Sequence, residues 1–366
     1  MSDHRRLGFA TVGLALATFL GACSMNPPVE SESQAASPDV STTADASAPA
    51  GDLRVGIASR EILNDYNRDI NDGAQSVFES AGATVTVTNG DGDATKQAND
   101  ITTLINSGID ILFVQLGDPT QLEPVIAQAV EQDITVVTAG VGSLVDGAIA
   151  DVGGDEEMMA EMSARHLFES IGGKGDVYAF WVPGAPLLET RIAVLDEVAE
   201  EYPDITIHRE PTDHSPATVQ SQMQTILTAN PDPGSIAGVW GAYDQLVSGA
   251  VQAIQSSNRG EDIQVVAIDG DRATFNMLFA EGSPFVATVV QNAQQIGSLG
   301  AEAALADVNG EEIGETLTSA WIATRHNGIA AAEERYGSEI WAEIGLDPDA
   351  IAQQWEQNED VEVVQP

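Results

Sequence analysis

The chain has 366 residues, with 57 acidic against 14 basic side chains and a formal charge of −43. Its 43% apolar content is too high for a disordered polyacid, its length allows two hydrophobic cores, and a surface this negative repels phosphate and excludes a free-standing nucleic-acid binder. A single cysteine excludes a disulfide framework and any multi-cysteine metal or redox centre.

Only two of the basic residues are lysines, Lys96 and Lys174. Heavy acidity with so little lysine points to a halophilic protein. In molar salt the Debye length falls to about 3 Å and self-repulsion is screened.

His4, Arg5 and Arg6 form a cationic head before an apolar run from 7 to 20. The run is short for a membrane span and suits a signal-peptide core. It ends in Leu20-Gly21-Ala22-Cys23, which resembles a bacterial lipobox, so Cys23 is the expected lipidation site and the anchor to a membrane. The alternative is a cysteine lost when the peptide is cleaved. Residues 24–50, rich in Ser, Ala, Pro and Thr, carry no apolar periodicity and read as a tether. The expected location is extracytoplasmic.

From Leu53 the pattern alternates short β-branched runs with helix-length amphipathic segments. Strands are expected at 53–58, 84–88, 111–114 and 134–138, with helices at 69–80, 95–106 and 119–132. A second series places strands at 176–182, 205–208, 236–239, 265–268 and 285–290, with helices at 187–201, 217–229, 243–255 and 272–279. Single helices between strands imply parallel pairing through right-handed crossovers. The predicted fold is α/β, with two doubly wound Rossmann-like lobes whose strand carboxyl ends face one cleft. Residues 330–344 and 348–357 read as two further short helices, with Trp341 and Trp355 packed on the globule.

Val55-Gly56-Ile57, the segment 97–109 running into Asp110, Val265-Val266-Ala267-Ile268-Asp269-Gly270 and Thr288-Val289-Val290-Gln291 occur in that order. Together they resemble the type I periplasmic sugar-binding proteins, the ribose-binding group that feeds ABC importers, over roughly residues 52–327. The resemblance implies two lobes joined by a three-segment hinge, near Gly154, after Gln291 and at 317–321. It implies a small sugar or polyol as ligand, an ABC permease as partner and lobe closure on binding. The boundaries that follow are a signal peptide over 1–22, a lipidated cysteine and tether over 23–51, a first lobe over 52–154 plus 292–317, a second over 155–291 plus 318–328, and a helical extension over 329–366. A monomer is expected.

Sugar recognition needs an aromatic face for the C–H side of the ring and fixed polar forks for its hydroxyls. Asn64 and Tyr66 follow the first strand, where the family uses asparagine and aromatics. Gln115 ends a strand where the family has an amide; the alternative is a solvent-facing loop residue. Arg191 matches a family arginine that reaches ring and hydroxyl oxygens, or else pairs with Glu189 or Glu197. Trp181, at a strand end, is a stacking wall or core. Asp269 matches a carboxylate that accepts two hydroxyls, or else it is a turn residue. Gln291 is the corresponding amide on a crossing segment. Two departures stand out: Thr138-Ala139-Gly140-Val141 lacks the Asp-Arg pair common in the family, and Tyr243 replaces an asparagine. The pocket has exchanged polar forks for a ring, which favours a ligand other than ribose.

No G-x-S-x-G elbow, H-E-x-x-H or P-loop is present, His166, His208, His214 and His326 lack zinc spacing, and 89–93 lacks the sixth-position glycine of a calcium loop. The expected protein is a binding protein with no metal or cofactor. Delivery to a transporter and delivery to a membrane receptor remain the two open roles.

Overall fold

The computed structural model describes residues 53–357 and 361–366. The expected signal peptide, the expected lipidation site Cys23 and the whole of the expected tether lie outside the described residues.

The first lobe opens as β1 (Arg54–Ser59), α1 (Asp65–Ser80), β2 (Thr84–Asn89), α2 (Ala94–Asn106), β3 (Ile111–Gln115), α3 (Pro119–Val130), β4 (Thr135–Ala139) and β5 (Asp151–Gly154). The second lobe runs α4 (Glu156–Ser170), β6 (Lys174–Trp181), α5 (Pro186–Ala199), β7 (Asp204–Pro211), α6 (Pro216–Ala229), β8 (Gly238–Gly241), α7 (Asp244–Ser256), β9 (Gln264–Asp269), α8 (Arg272–Phe279) and β10 (Phe285–Gln291). The chain then returns to the first lobe as α9 (Ala293–Asn309) and β11 (Leu317–Thr318). It ends on the second lobe with β12 (Ala320–Thr324), α10 (Gly328–Tyr336), α11 (Ile340–Ile344), α12 (Pro348–Gln354) and β13 (Val363–Val364).

The first sheet has the order β11-β5-β4-β3-β1-β2 and is parallel throughout. Helices cover both of its faces, which is why all five residues of β3 are buried and its first four, Ile111–Val114, form an uninterrupted apolar run. The second sheet has the order β13-β12-β10-β9-β8-β6-β7. β10, β9, β8, β6 and the edge strand β7 are parallel, but β12 and β13 pair antiparallel at the opposite edge. This departs from a purely doubly wound sheet. β12 enters from β11 of the other sheet and runs antiparallel to β10, with β13 antiparallel to it in turn.

The sequence reading names no element over 156–170 or 293–309, yet long helices occupy both. Each begins immediately after a crossing between lobes, capped by Asp155 on Met158 N and by Asn292 on Gln295 N. α9 lies against α1 almost backbone to backbone. A Cβ on Gly73 would sit 2.0 Å from Gln294 O, and one on Gly297 1.9 Å from Ile70 O. Only glycine permits that approach, and it fixes α1, whose first turn faces the cleft.

The C-terminal segment is broken differently from the two expected helices. Gly337, at φ +74°, ends α10 and separates it from α11. Ile340 and Trp341 are buried with Phe275, Leu278 and Phe279 in the second lobe's core, and Trp355 packs against the same cluster.

Candidate functional site

A cleft of about 480 Å³ lies between the lobes, beyond the carboxyl ends of their strands. This is where open α/β sheets place ligands. The lobes touch at its rim: a Cβ on Gly142 would lie 2.8 Å from Leu187 N.

The first-lobe wall is built from amides. Asn64 caps α1 by accepting from Asn67 N at 2.8 Å. The Glu61 carboxylate accepts from Asn67 Nδ2 at 3.3 Å and Asn64 Nδ2 at 3.4 Å. Asn67 Oδ1 accepts from Gln115 Nε2 at 2.8 Å, and Gln115 Oε1 from Arg60 N at 3.1 Å. Gln97 Nε2 closes the set, donating to the carbonyls of Ala58, Gln115 and Leu116. Tyr66 stands beside these groups. Burial, and then the charges of Glu156 and Asp269, push its phenol well up, so it stays protonated as a donor and acceptor.

The second-lobe wall is built from ions. Arg191 projects from α5 and is 2% exposed. Its Nε donates to the Glu156 carboxylate, and its Nη1 to Ala242 O at 2.6 Å and Asp269 Oδ1 at 3.3 Å. Gln291 Nε2 donates to the same Asp269 oxygen at 2.7 Å. Burial pushes both carboxyls up, against the pull of Arg191. The guanidinium is held charged by its two partners although burial opposes it.

Asp269 sits at φ +124°, a sparsely populated conformation for a residue with a side chain. Such strain costs about 1–3 kcal/mol and persists only where the surroundings over-determine it. Here the buried Asp244 supplies part of the restraint. It accepts from Gly270 N at 2.7 Å, Thr274 Oγ1 at 2.9 Å and Thr288 Oγ1 at 2.8 Å. Asp271 follows on the same wall, with Oδ1 buried and unpartnered. Burial, and then the charge on Asp269, raise its carboxyl to about 7. Tyr243 completes the wall, its hydroxyl 2.9 Å from His214 Nδ1.

Five of the residues expected from sequence therefore line the cleft: Asn64, Tyr66, Arg191, Tyr243 and Asp269. Three do not. Gln115 is fully buried because the chain turns over it at Leu116, at φ +53°; it orients Asn67 instead of facing the cleft. Gln291 is likewise fully buried and is spent on Asp269. Trp181 is core, packed in the cluster that holds Leu188, Ile192 and Phe168, with Arg209 stacked 5.9 Å from its ring. The next residue, Val182, points the other way and reaches the cleft. Arg191 bonds to neither Glu189 nor Glu197: Glu189 accepts from Gly184 N, and the partners lie on α4 and β9. The loop after β4, which lacks an Asp-Arg pair, is held by Asp151, bonded to Thr138 Oγ1 at 2.7 Å and Gly142 N at 2.8 Å.

The periplasmic binding protein domain family matches residues 55–312. The chain belongs to the type I periplasmic binding protein family. The ribose import binding protein of Bacillus subtilis is 25% identical over 311 residues, which cover 84% of this chain and 96% of that protein. An ABC sugar transporter subunit from Rhodobacter sphaeroides superposes with a TM-score of 0.69 at 24% identity, over 74% of this chain and 98% of its own. An ABC transporter solute binding protein from Agrobacterium vitis, solved with bound allitol, superposes with a TM-score of 0.69 at 21% identity, over 81% and 98%. The family is one of periplasmic binding proteins for transporters, not of enzymes. No helix among the described residues is long and apolar enough to cross a membrane.

Sequence reasoning missed Glu61, Asn67, Glu156 and Asp271 in this type I binding protein. One signal was available for Asn67: it follows the Asn64 cap by three residues, on the helix face that carries the apolar stripe. Glu156 had none, because its partner Arg191 lies 35 positions away.

Proposed function

We propose that the protein is a lipid-anchored, extracytoplasmic solute-binding protein that captures a small sugar or polyol and delivers it to an ABC importer. The observation that carries this reading is the pairing of the two walls. Fixed amides on one lobe and an Arg191–Asp269 pair on the other face a cleft of about 480 Å³, with Tyr66 and Tyr243 between them. Hydroxyls both donate and accept, and such a cleft offers both with apolar ring faces alongside. The bound allitol of the A. vitis protein and the ribose import role of the B. subtilis relative support the ligand class.

In this reading the hinge comprises the crossings near Gly154, after Gln291 and at 317–321, and the permease recognises the closed lobes. Cys23 carries the anchor, and acid-rich surfaces keep the monomer soluble in concentrated salt.

The test is a thermal-shift screen of pentoses, hexoses, pentitols and hexitols in molar KCl. A ligand at 100 times its dissociation constant adds about 2.7 kcal/mol. No shift across the panel, or turnover of a panel member, overturns the reading. For the anchor, Cys23→Ser should release the protein from the membrane fraction; retention there overturns lipidation.

A further inference from the structure

Beyond the matched segment 55–312, α10 inserts an arginine into the seam between the lobes. The Arg335 side chain is 1% exposed. Its Nη1 donates to Asp269 O at 2.6 Å and Gly270 O at 2.8 Å, and its Nη2 to Asp69 Oδ2 at 3.2 Å. Asp269 and Gly270 belong to the ligand wall of the second lobe, whereas Asp69 is on α1 of the first. One side chain thus holds both the turn that presents the Asp269 carboxylate and the opposite lobe.

The neighbours strengthen the connection. Arg272, from α8 of the second lobe, donates to Asp69 Oδ1 at 3.1 Å and to Glu343 of α11 at 3.1 Å. The Tyr336 ring lies between the two guanidinium groups, 4.3 Å from that of Arg272 and 4.5 Å from that of Arg335, and its hydroxyl donates to Gly270 O at 3.2 Å. Two cations can share this small volume because Asp69 accepts from both and the ring face is negative.

We propose that Arg335 is a positioning residue for the binding cleft: it stabilises the strained Asp269–Gly270 turn most strongly when Asp69 is docked, so the C-terminal extension couples lobe closure to assembly of the ligand wall. Asp269, at φ +124°, needs its carbonyl restrained if the carboxylate is to keep facing the cleft. Arg335 supplies that restraint, and Asp69 completes the guanidinium's bonding only when the lobes are together. The coupling rests on the binding-protein reading for its purpose, but not for its geometry.

Two measurements separate these. The first needs no ligand. In the full chain carrying Cys23→Ser, spin labels at Ser76→Cys on α1 and Thr225→Cys on α6 report the interlobe distance by double electron–electron resonance in molar KCl. Asp69→Asn and Arg335→Gln should each shift the distribution to longer distances, and the double variant should add nothing to the larger single effect. Superimposable distributions for the parent and both variants overturn the proposal. If Arg335→Gln fails to fold by circular dichroism, Asp69→Asn decides, because it lies in the other lobe and is nearly isosteric.

The second measurement titrates D-ribose and allitol by calorimetry. Losing charge-assisted bonds to the turn should raise the dissociation constant roughly tenfold to a hundredfold in Arg335→Gln. Arg335→Lys, which keeps the charge but not the fork, should leave most of that loss in place. Unchanged affinity in Arg335→Gln overturns the positioning role even if the lobes open. If neither compound binds the parent, the ligand assignment for these two fails, and the distance measurement alone decides the coupling.

Discussion

The two walls of the cleft solve the same problem with opposite chemistry. The first-lobe wall is a relay of neutral amides, Gln115 to Asn67 to the Asn64 cap, closed by one carboxylate, Glu61. The second-lobe wall gathers Arg191, Glu156, Asp269 and Asp271, with side chains largely withdrawn from solvent. Amides can be buried at modest cost once each is bonded. Buried ions are stable only as a set, because removing one partner strands the others. The first wall should therefore tolerate change and tune affinity, whereas the second should fail abruptly.

Arg191→Met tests that contrast most severely. It leaves Glu156 and Asp269 buried without their cation, and urea denaturation should show a loss of about 3–5 kcal/mol. A loss under 1 kcal/mol would mean that the ionic wall is no more brittle than the amide one.

Asp271 gives a pH-dependent test of the same wall. Its folded value of about 7 lies above its ordinary 3.8. The native state thus keeps a proton that the unfolded chain releases between about pH 4 and pH 7. Stability present on the acid side of that window is lost as pH rises through it. Asp271→Asn should remove up to about 4 kcal/mol of that decline, read as the difference between parent and variant urea midpoints at pH 4, 5.5 and 7. Parallel pH profiles would place Asp271 outside the ionic set.

On the amide side, Gln115→Leu leaves Asn67 Oδ1 without its donor, while Arg60 N keeps its bond to the carbonyl of residue 115 at 3.0 Å. A stability loss of about 1–2 kcal/mol is expected, with weaker ligand binding because Asn67 is released to turn. Binding by Gln115→Leu as tight as the parent's would show that the relay does not orient the wall. Trp181→Phe should do least. It lies behind the ionic wall in the core, so ligand affinity should stay within about twofold while stability falls by about 1 kcal/mol. A large affinity loss would return Trp181 to the cleft.

The walls also differ in how far they could be read from sequence. Asn64 caps α1 and Tyr66 lies in its first turn, Tyr243 caps α7 and Asp269 ends β9; the family resemblance singled these four out, and their places just beyond strand ends bring them to the cleft. Gln115 and Gln291 occupy equally good strand ends, yet both are turned inward onto neighbours. Whether a strand-end side chain faces ligand or partner depends on the turn that follows. For Gln115 that turn is set by Leu116 and Gly117 at φ +53° and +141°. The same limit applied to the elements. Alternating runs marked most strands and helices, but α4, α9 and the antiparallel edge β12 did not declare themselves.

Local sequence by itself determined the alternation of strands and helices, the two-lobed fold and the end of each sheet at which recognition occurs. These follow from periodicity and from the handedness of crossovers, which act over tens of residues. Tertiary structure alone decided the partners: Arg191 with Glu156 and Asp269, 35 and 78 positions away, and Arg335 with Asp69, 266 positions away. In a chain with 57 acidic residues, almost any arginine has an acid nearby in sequence. Burial chooses among them, because an ion removed from water keeps only the partners that packing places within hydrogen-bond reach.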